Sequence, residues 1–217
     1  MIFPSINALF IHIPKCAGMT IINHFIKCRL YPLKLDWHRS YDSYNEEDLK
    51  DIFTFSFVRN PWDRIASHYF FQGPGAPDFP IRSIVNSNDN YSAISTKRQY
   101  RYPKGFHQKT FKDFVIQDVC NESINCNREN LFICETITNR LKNKSQKIQL
   151  DFIGKVEDFD DDFKRLANHL DLQIKIPEKM NYNREGKYNK LYDNYLYDVI
   201  KEYFKEEIEE FNFEYKL

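Results

Sequence analysis

The stretch Phe10-Ile-His-Ile-Pro-Lys-Cys-Ala-Gly-Met-Thr20 decides how the chain begins to fold. It overlaps an apolar run at residues 8–13, whose pattern predicts a strand covered on both faces. Pro14 ends that strand, and Lys15-Cys-Ala-Gly18 contains small residues, as is typical where a backbone must come close to another group. Apolar residues then recur at helical spacing, which predicts a helix over about residues 19–29.

This strand–loop–helix unit is a candidate anion site. The first N–H groups of a helix have no acceptor within it, and both they and the helix dipole point at a bound anion. Lys15 adds a mobile positive charge. The plain alternative is an ordinary strand–turn–helix with a solvated lysine. The pattern is not that of the kinase P-loop, because Lys15 precedes Gly18 and the chain contains no Gly-Lys-Ser/Thr.

A second strand–loop–helix segment of the same kind follows. The aromatic and β-branched residues at 52–58 predict a strand, which runs directly into Arg59-Asn-Pro-Trp-Asp-Arg64. Asn60 is a suitable N-cap and Pro61 suits the first position of a helix, which we expect to reach about residue 71. Ligands of open parallel sheets bind beyond the carboxyl ends of the strands. Two anion loops at adjacent strand ends therefore suit a ligand with two separated anionic groups.

Both strand–loop–helix segments resemble elements of the sulfotransferases. The first is similar to their 5′-phosphosulfate loop, in the form PKxxGxT of the carbohydrate (Golgi-type) branch. The second is similar to their 3′-phosphate element, in which an arginine and a serine eight positions later grip the phosphate. The plain alternative for the second strand–loop–helix segment is a helix cap with a surface arginine. By this resemblance the donor-binding residues are Lys15, Cys16, Ala17, Gly18, Met19, Thr20, Arg59 and Ser67.

The resemblance extends over most of the chain with less specific motifs. Residues 151–159 look like the FIG-x-x-E segment of the carbohydrate sulfotransferases, and residues 203–215 look like their C-terminal helix and tail. Two positions depart from the family. Cys16 stands where many members have threonine, and Asn181 and Asn183 lie in a loop that often carries a histidine. We therefore assign no function to that loop.

The predicted fold is a single α/β domain over residues 1–217. We expect a P-loop-like, three-layer arrangement with a central, mainly parallel sheet flanked by helices. The resemblance implies 3′-phosphoadenosine 5′-phosphosulfate as the sulfuryl donor, a hydroxyl acceptor that is most often a carbohydrate in this branch, and no metal. Lys15 would then stabilise charge on the leaving phosphate oxygen. Two other functions stay open: a nucleotide-dependent phosphotransferase, and a non-catalytic protein that binds glycans or adenosine bisphosphates.

The acceptor hydroxyl needs a base, because an alcohol is a poor nucleophile at neutral pH. His38 is similar in position to a histidine of the heparan-type uronosyl sulfotransferases, and its unperturbed pKa suits the task. We take His38 as the base, with His107 and Glu157 as the next candidates; the alternative for His38 is an exposed loop histidine. His12 is expected in the first strand and in the core.

Composition and charge exclude several classes of protein. The 217 residues are 42% hydrophobic and carry no formal net charge, which argues against a general binder of nucleic acid or membrane surfaces. We expect no signal peptide, no transmembrane segment and a cytoplasmic location. The five cysteines have no metal-ligand spacing and are expected to be reduced.

Two further segments complete the prediction. Residues 73–109 are polar, rich in turn signals and basic near their end, so we expect an irregular acceptor-binding or lid region, with a solvated surface loop as the alternative. The chain is expected to close with one long helix over about residues 191–211.

Overall fold

The chain folds into two compact units. The computed structural model describes residues 1–34, 36, 38–71, 81–87, 90–96, 109–120, 133–177 and 188–214. The first unit comprises Met1–Arg59, Asn86–Ser92 and Ile137–Asn181, and the second comprises Asn60–Val85, Ala93–Thr136 and Tyr182–Leu217. That residues 1–217 form a single domain stays a prediction.

The regular elements are named here in chain order. The strands are β1 (Ile2–Phe3), β2 (Ala8–Ile11), β3 (Phe53–Val58), β4 (Ile81–Ser87), β5 (Asn90–Thr96) and β6 (Phe152–Lys155). The helices are α1 (Gly18–Lys27), α2 (Glu46–Leu49), α3 (Pro61–Phe71), α4 (Phe111–Phe114), α5 (Ile137–Leu141), α6 (Phe159–His169), α7 (Asn194–Tyr203) and α8 (Lys205–Glu210). One π-helical turn, Val115–Val119, continues α4.

The first unit contains a four-stranded sheet in the order β1-β2-β3-β6. The short β1 is antiparallel to β2, whereas β2, β3 and β6 run parallel. The hydroxyl of Ser56 in β3 donates to the carbonyl of Ile11 at the end of β2, at 2.8 Å. The predicted α/β class, with a central and mainly parallel sheet flanked by helices, is confirmed.

Phenylalanine side chains form the core of the first unit. Phe10 and Phe55 are paired in register on neighbouring strands and stack with ring centroids 4.9 Å apart. Phe25 of α1 and Phe163 of α6 lie against each other at 6.2 Å, and Phe25 also reaches Phe55. These four rings are fully or almost fully buried. Since burying one such side chain contributes about 1.5–3 kcal/mol, they fix α1 and α6 on this face of the sheet.

The second unit is helical in its core. Asn60 caps α3 as predicted, because its side-chain oxygen accepts from the Asp63 N–H at 2.9 Å. Trp62 at the start of α3 stacks on Tyr197 of α7 with ring centroids 5.0 Å apart. Arg64 of α3 is wholly buried and forms an ion pair with Glu207 at 3.4 Å.

Two predictions about secondary structure were wrong. The predicted single C-terminal helix is two helices, α7 and α8, separated at Phe204. No glycine or proline marks the break, and Phe204 is completely buried with Arg64 stacked 5.3 Å from its ring, so tertiary packing accompanies it. The segment at 73–109 is not irregular throughout, because β4 and β5 pair into a two-stranded sheet. Its basic cluster, Lys97, Arg98, Arg101 and Lys104, lies outside the described residues.

Hydropathy identifies no membrane-spanning element in the described part of the chain: every helix there is too short or too polar to cross a bilayer.

Candidate functional site

The loop between β2 and α1 is a tight turn with an unusual backbone. Lys15 has φ 67° and Ala17 has φ 59°, so two non-glycine residues adopt the left-handed conformation on either side of Cys16. A turn of this kind can bring successive N–H groups to one side and so create a concavity that binds anions. Such strain of about 1–3 kcal/mol per residue persists only where the surrounding structure imposes it, and it concentrates at functional sites.

Helix α1 begins directly at this turn. The Thr20 N–H donates to the Ala17 carbonyl at 2.9 Å, which is the first hydrogen bond of the helix. The N–H groups of Gly18 and Met19 therefore precede the helical hydrogen bonds, as predicted for an anion site. Cys16 and Thr20 are buried, whereas Lys15 is half-buried.

Gly18 is required by the packing of a histidine. A Cβ atom at this position would lie 1.9 Å from Cδ2 and 2.0 Å from Nε2 of His12. His12 follows β2 directly, is only 5% exposed, and stacks on Phe10 at 5.6 Å. The imidazole of His12 thus packs against the start of α1, beside the predicted phosphate loop.

Arg59 connects the two predicted anion elements. It follows β3, the parallel neighbour of β2, so its backbone leaves the same edge of the sheet as the first loop. Its Nη1 atom donates to the carbonyl oxygen of Lys15 at 3.4 Å. The structure therefore brings together Lys15, its loop and Arg59, whose charge lies beside the turn.

His38 lies next to the same loop. Its backbone is also left-handed, with φ 58°, and its ring centroid is 4.6 Å from that of His12. Its Nδ1 atom is 3.3 Å from the carbonyl oxygen of His12, and its own carbonyl accepts from Nη1 of Arg140 at 2.6 Å. The alternative, an exposed loop histidine, is wrong, because His38 is half-buried between these groups.

Burial changes the acidity of both imidazoles. The pKa of His38 is lowered from 6.5 to about 4, chiefly because the imidazole is buried; the contact with the His12 carbonyl opposes this shift, and the charges of Arg140 and Lys15 add to it. Burial, with His38 as the next cause, lowers the pKa of His12 well below its usual value. His38 is therefore neutral at pH 7 and able to accept a proton, although a low pKa also weakens it as a base.

For the other predicted site residues, the structure does not test a role in the site. Ser67 is half-buried in α3 and belongs to the second unit, so its pairing with Arg59 around a phosphate stays a prediction. His107, the next candidate base, lies outside the described residues. His68, the residue after Ser67, is buried and stacks on Phe114 with ring centroids 6.1 Å apart.

Sequence reasoning missed two residues of this site. His12 was expected in the core, and it is buried, but its position one residue after β2 places it under the loop. That position, directly before a predicted ligand loop, was the available signal. Arg140 lies in α5, 102 residues from His38 in the chain, and it has no motif around it. Only the tertiary fold brings it to the site.

The described part of the chain contains no group of three or more His, Cys, Asp or Glu side chains placed to hold a metal ion.

A model of the sulfotransferase family matches residues 1–214. The chain belongs to the sulfotransferase family. No curated protein and no solved structure matches it. Membership makes the protein a transferase of sulfuryl groups, and it agrees with the P-loop-like α/β class of the first unit.

Proposed function

We propose that this sulfotransferase moves a sulfuryl group from 3′-phosphoadenosine 5′-phosphosulfate to a hydroxyl of a carbohydrate. One observation carries the proposal: the loop before α1 and the arginine after β3 meet at one edge of the sheet, through Arg59 Nη1 and the Lys15 carbonyl at 3.4 Å. A donor with phosphate groups at both the 5′ and the 3′ position presents two anionic ends. Two adjacent cationic elements at the strand ends suit such a molecule.

The first element would hold the 5′ end of the donor. The N–H groups of Gly18 and Met19 precede the first hydrogen bond of α1, and the left-handed turn before them favours an anion. This chemistry fits a phosphate, since it offers backbone donors and a neighbouring lysine without an acidic side chain in the turn. In this proposal the ammonium group of Lys15 stabilises the negative charge that grows on the leaving phosphate oxygen.

The second element would hold the 3′ end. The guanidinium of Arg59 offers a planar set of donors to phosphate oxygens, and Ser67 would add a hydroxyl from α3. The role of Ser67 rests on its spacing of eight residues from Arg59. The donor, when bound, supplies the sulfuryl group and departs as adenosine 3′,5′-bisphosphate.

His38 would act on the acceptor. It removes the hydroxyl proton while the oxygen forms its bond to sulfur and the bond from sulfur to the donor phosphate breaks. The neutral imidazole is available at pH 7 because burial lowers the pKa of His38 to about 4. The negative charge that leaves with the phosphate is stabilised by Lys15, whose charge also contributes to the lowered pKa of His38.

The carbohydrate acceptor rests on the sequence alone. The PKxxGxT form of residues 14–20 and the FIG-x-x-E segment at 152–157 resemble the carbohydrate branch of the family. Residues 73–109 stay our proposed acceptor-binding region, of which β4 and β5 are described. The cytoplasmic location stays a prediction.

The test is transfer from radiolabelled donor to a panel of sulfated and unsulfated oligosaccharides. We expect transfer without added metal, and a loss of about 100-fold or more in kcat for Lys15→Ala, the size typical of one lost transition-state contact. Lys164→Ala is the matched control, because that lysine is 58% exposed and its ion pair with Asp161 is a surface one. It should retain full activity.

Other outcomes would replace the proposal. Magnesium-dependent turnover of ATP would favour a phosphotransferase. Binding of adenosine bisphosphate or glycan with no turnover in the unmodified protein would favour a non-catalytic binder. Unchanged kcat in Lys15→Ala would remove Lys15 from its catalytic role.

A further inference from the structure

We infer that Arg140 is a positioning residue that fixes His38, so that Nε2 of His38 is its proton-accepting atom. This inference rests on the proposed function, in which His38 takes the proton of the acceptor hydroxyl. It assigns a role to a residue of α5 and specifies which nitrogen of the imidazole does the chemistry.

Arg140 acts on the backbone of His38. Its side chain is almost fully buried, at 3% exposure, and Nη1 donates to the His38 carbonyl at 2.6 Å. A hydrogen bond from a charged donor is about twice as strong as a neutral one. The carbonyl that it holds belongs to a residue with φ 58°, a conformation that costs about 1–2 kcal/mol for a non-glycine residue. The arginine therefore stabilises the backbone conformation from which the imidazole projects.

The ring is fixed from its other side by His12. A backbone carbonyl only accepts hydrogen bonds, so the 3.3 Å contact between His38 Nδ1 and the His12 carbonyl requires the proton on Nδ1. In a neutral imidazole the lone pair is then on Nε2. His12 is itself held against Gly18 and Phe10, so its carbonyl and ring offer a rigid surface to His38.

The charges around the pair favour the same state. The charges of Arg140 and Lys15 each contribute to lowering the pKa of both imidazoles, after burial as the main cause. Two adjacent neutral rings, rather than a protonated one, therefore occupy the site at pH 7. A neutral His38 whose proton resides on Nδ1 has a single proton-accepting nitrogen.

The first test is a long-range proton–nitrogen correlation spectrum of the full chain labelled with ¹⁵N-histidine, at pH 7 and without donor or acceptor. His38 is assigned by the signals lost in His38→Gln. We expect one neutral tautomer with the proton on Nδ1. A proton on Nε2, or rapid averaging between the two tautomers, would overturn the inference. This measurement uses the unmodified protein, so it stands even if an Arg140 variant does not fold.

The second test separates geometry from charge. Arg140→Lys keeps the positive charge, whereas Arg140→Gln removes it. In both folded variants we expect His38 to average between its tautomers, and in Arg140→Gln its pKa should also rise towards 6.5. Arg165→Gln is the control, since Arg165 is a surface residue of the same unit that contacts Asp162 and the Phe152 ring. It should leave the His38 signals unchanged.

Turnover gives a third readout that a merely structural role would not move in this way. Once an acceptor is identified, Arg140→Lys should lower kcat by about 10- to 100-fold and leave the KM for donor nearly unchanged. This loss is smaller than the full rate contribution of a general base, because His38 is still present. An unchanged His38 tautomer and unchanged kcat in folded Arg140→Lys would contradict the positioning role. Failure of the proposed function would show differently, as an absence of donor binding and turnover in the unmodified protein with the tautomer as inferred.

Discussion

The close approach of Gly18 and His12 makes a quantitative prediction about Gly18→Ala. The added Cβ would lie 1.9 Å from the imidazole, so the ring or the start of α1 must move by about 1.5 Å to restore an ordinary carbon contact. The ring has little freedom, because it is buried and contacts the rings of Phe10 and His38. Forcing one extra carbon into such packing costs about 1–3 kcal/mol of unfolding free energy.

The displaced loop should also bind its anion less well. We expect Gly18→Ala to weaken binding of adenosine 3′,5′-bisphosphate at least about tenfold, which corresponds to about 1.4 kcal/mol. Urea unfolding and calorimetric titration measure the two effects. Gly154→Ala is a useful comparison, because its Cβ would lie 2.6 Å from the ring of Phe57 in the sheet. It should destabilise the protein and affect nucleotide affinity less.

A double-mutant cycle tests whether His12 is the cause. In the His12→Ala background the imidazole is gone, so Gly18→Ala should be neutral or stabilise the helix by up to about 1 kcal/mol, the difference in helix propensity. An equal cost of Gly18→Ala in both backgrounds would show that the His12 imidazole is not its cause. A Gly18→Ala protein with unchanged stability and unchanged nucleotide affinity would contradict both expected effects.

Three further predictions follow from the structure. Arg59→Ala should weaken nucleotide binding by about 1.5–3 kcal/mol, the value of a charge-assisted contact, and unchanged affinity by calorimetry would disprove that role. Glu207→Ala should cost about 3–5 kcal/mol in urea unfolding because it leaves Arg64 buried without its ion-pair partner, whereas Lys164→Ala should change stability by less than about 1 kcal/mol. Because the pKa of His38 is lowered from 6.5 to about 4, the unfolded chain binds the extra proton first as pH falls. The free energy of unfolding should therefore decrease by about 3 kcal/mol between pH 6.5 and 4, and a denaturation series should show a smaller decrease in His38→Gln.

Local sequence patterns were enough to predict the two parallel strands β2 and β3 and the helices that follow them. The apolar run before Pro14 and the phenylalanine-rich run before Arg59 have the composition of buried parallel strands, and both are strands in the structure. Asn60 and Pro61 mark the start of α3 correctly, because capping depends on residues close in sequence.

Features that depend on distant contacts were predicted poorly. The helix break at Phe204 accompanies its packing with Arg64, 140 positions earlier in the chain, and no local residue signals it. The strands β4 and β5 did have a local signal, since β-branched residues occur on both sides of Asn88-Asp89, and Asn and Asp are residue types typical of turns. That signal was outweighed by the polar composition of the whole segment.

In the candidate site, too, local features were predictable from the sequence and features that depend on distant contacts were not. Its loops were found from residue type and spacing, and the contact between Arg59 and the Lys15 carbonyl agrees with their predicted neighbourhood. The surroundings of His38 were not predictable, because they depend on the His12 carbonyl and on Arg140, 26 and 102 residues away. The sequence can suggest which histidine is the base, but the tautomer and the pKa of that histidine depend on the groups that the fold places around it.

The proposed function depends on two adjacent loops that hold the two phosphate ends of an adenosine bisphosphate. Calorimetric titration of the unmodified protein with adenosine 3′,5′-bisphosphate, beside AMP and ATP and without metal, tests it most directly. We expect tight binding of the bisphosphate, with both AMP and ATP bound much more weakly. Equal affinity for the three nucleotides, or no binding of the bisphosphate, would contradict it.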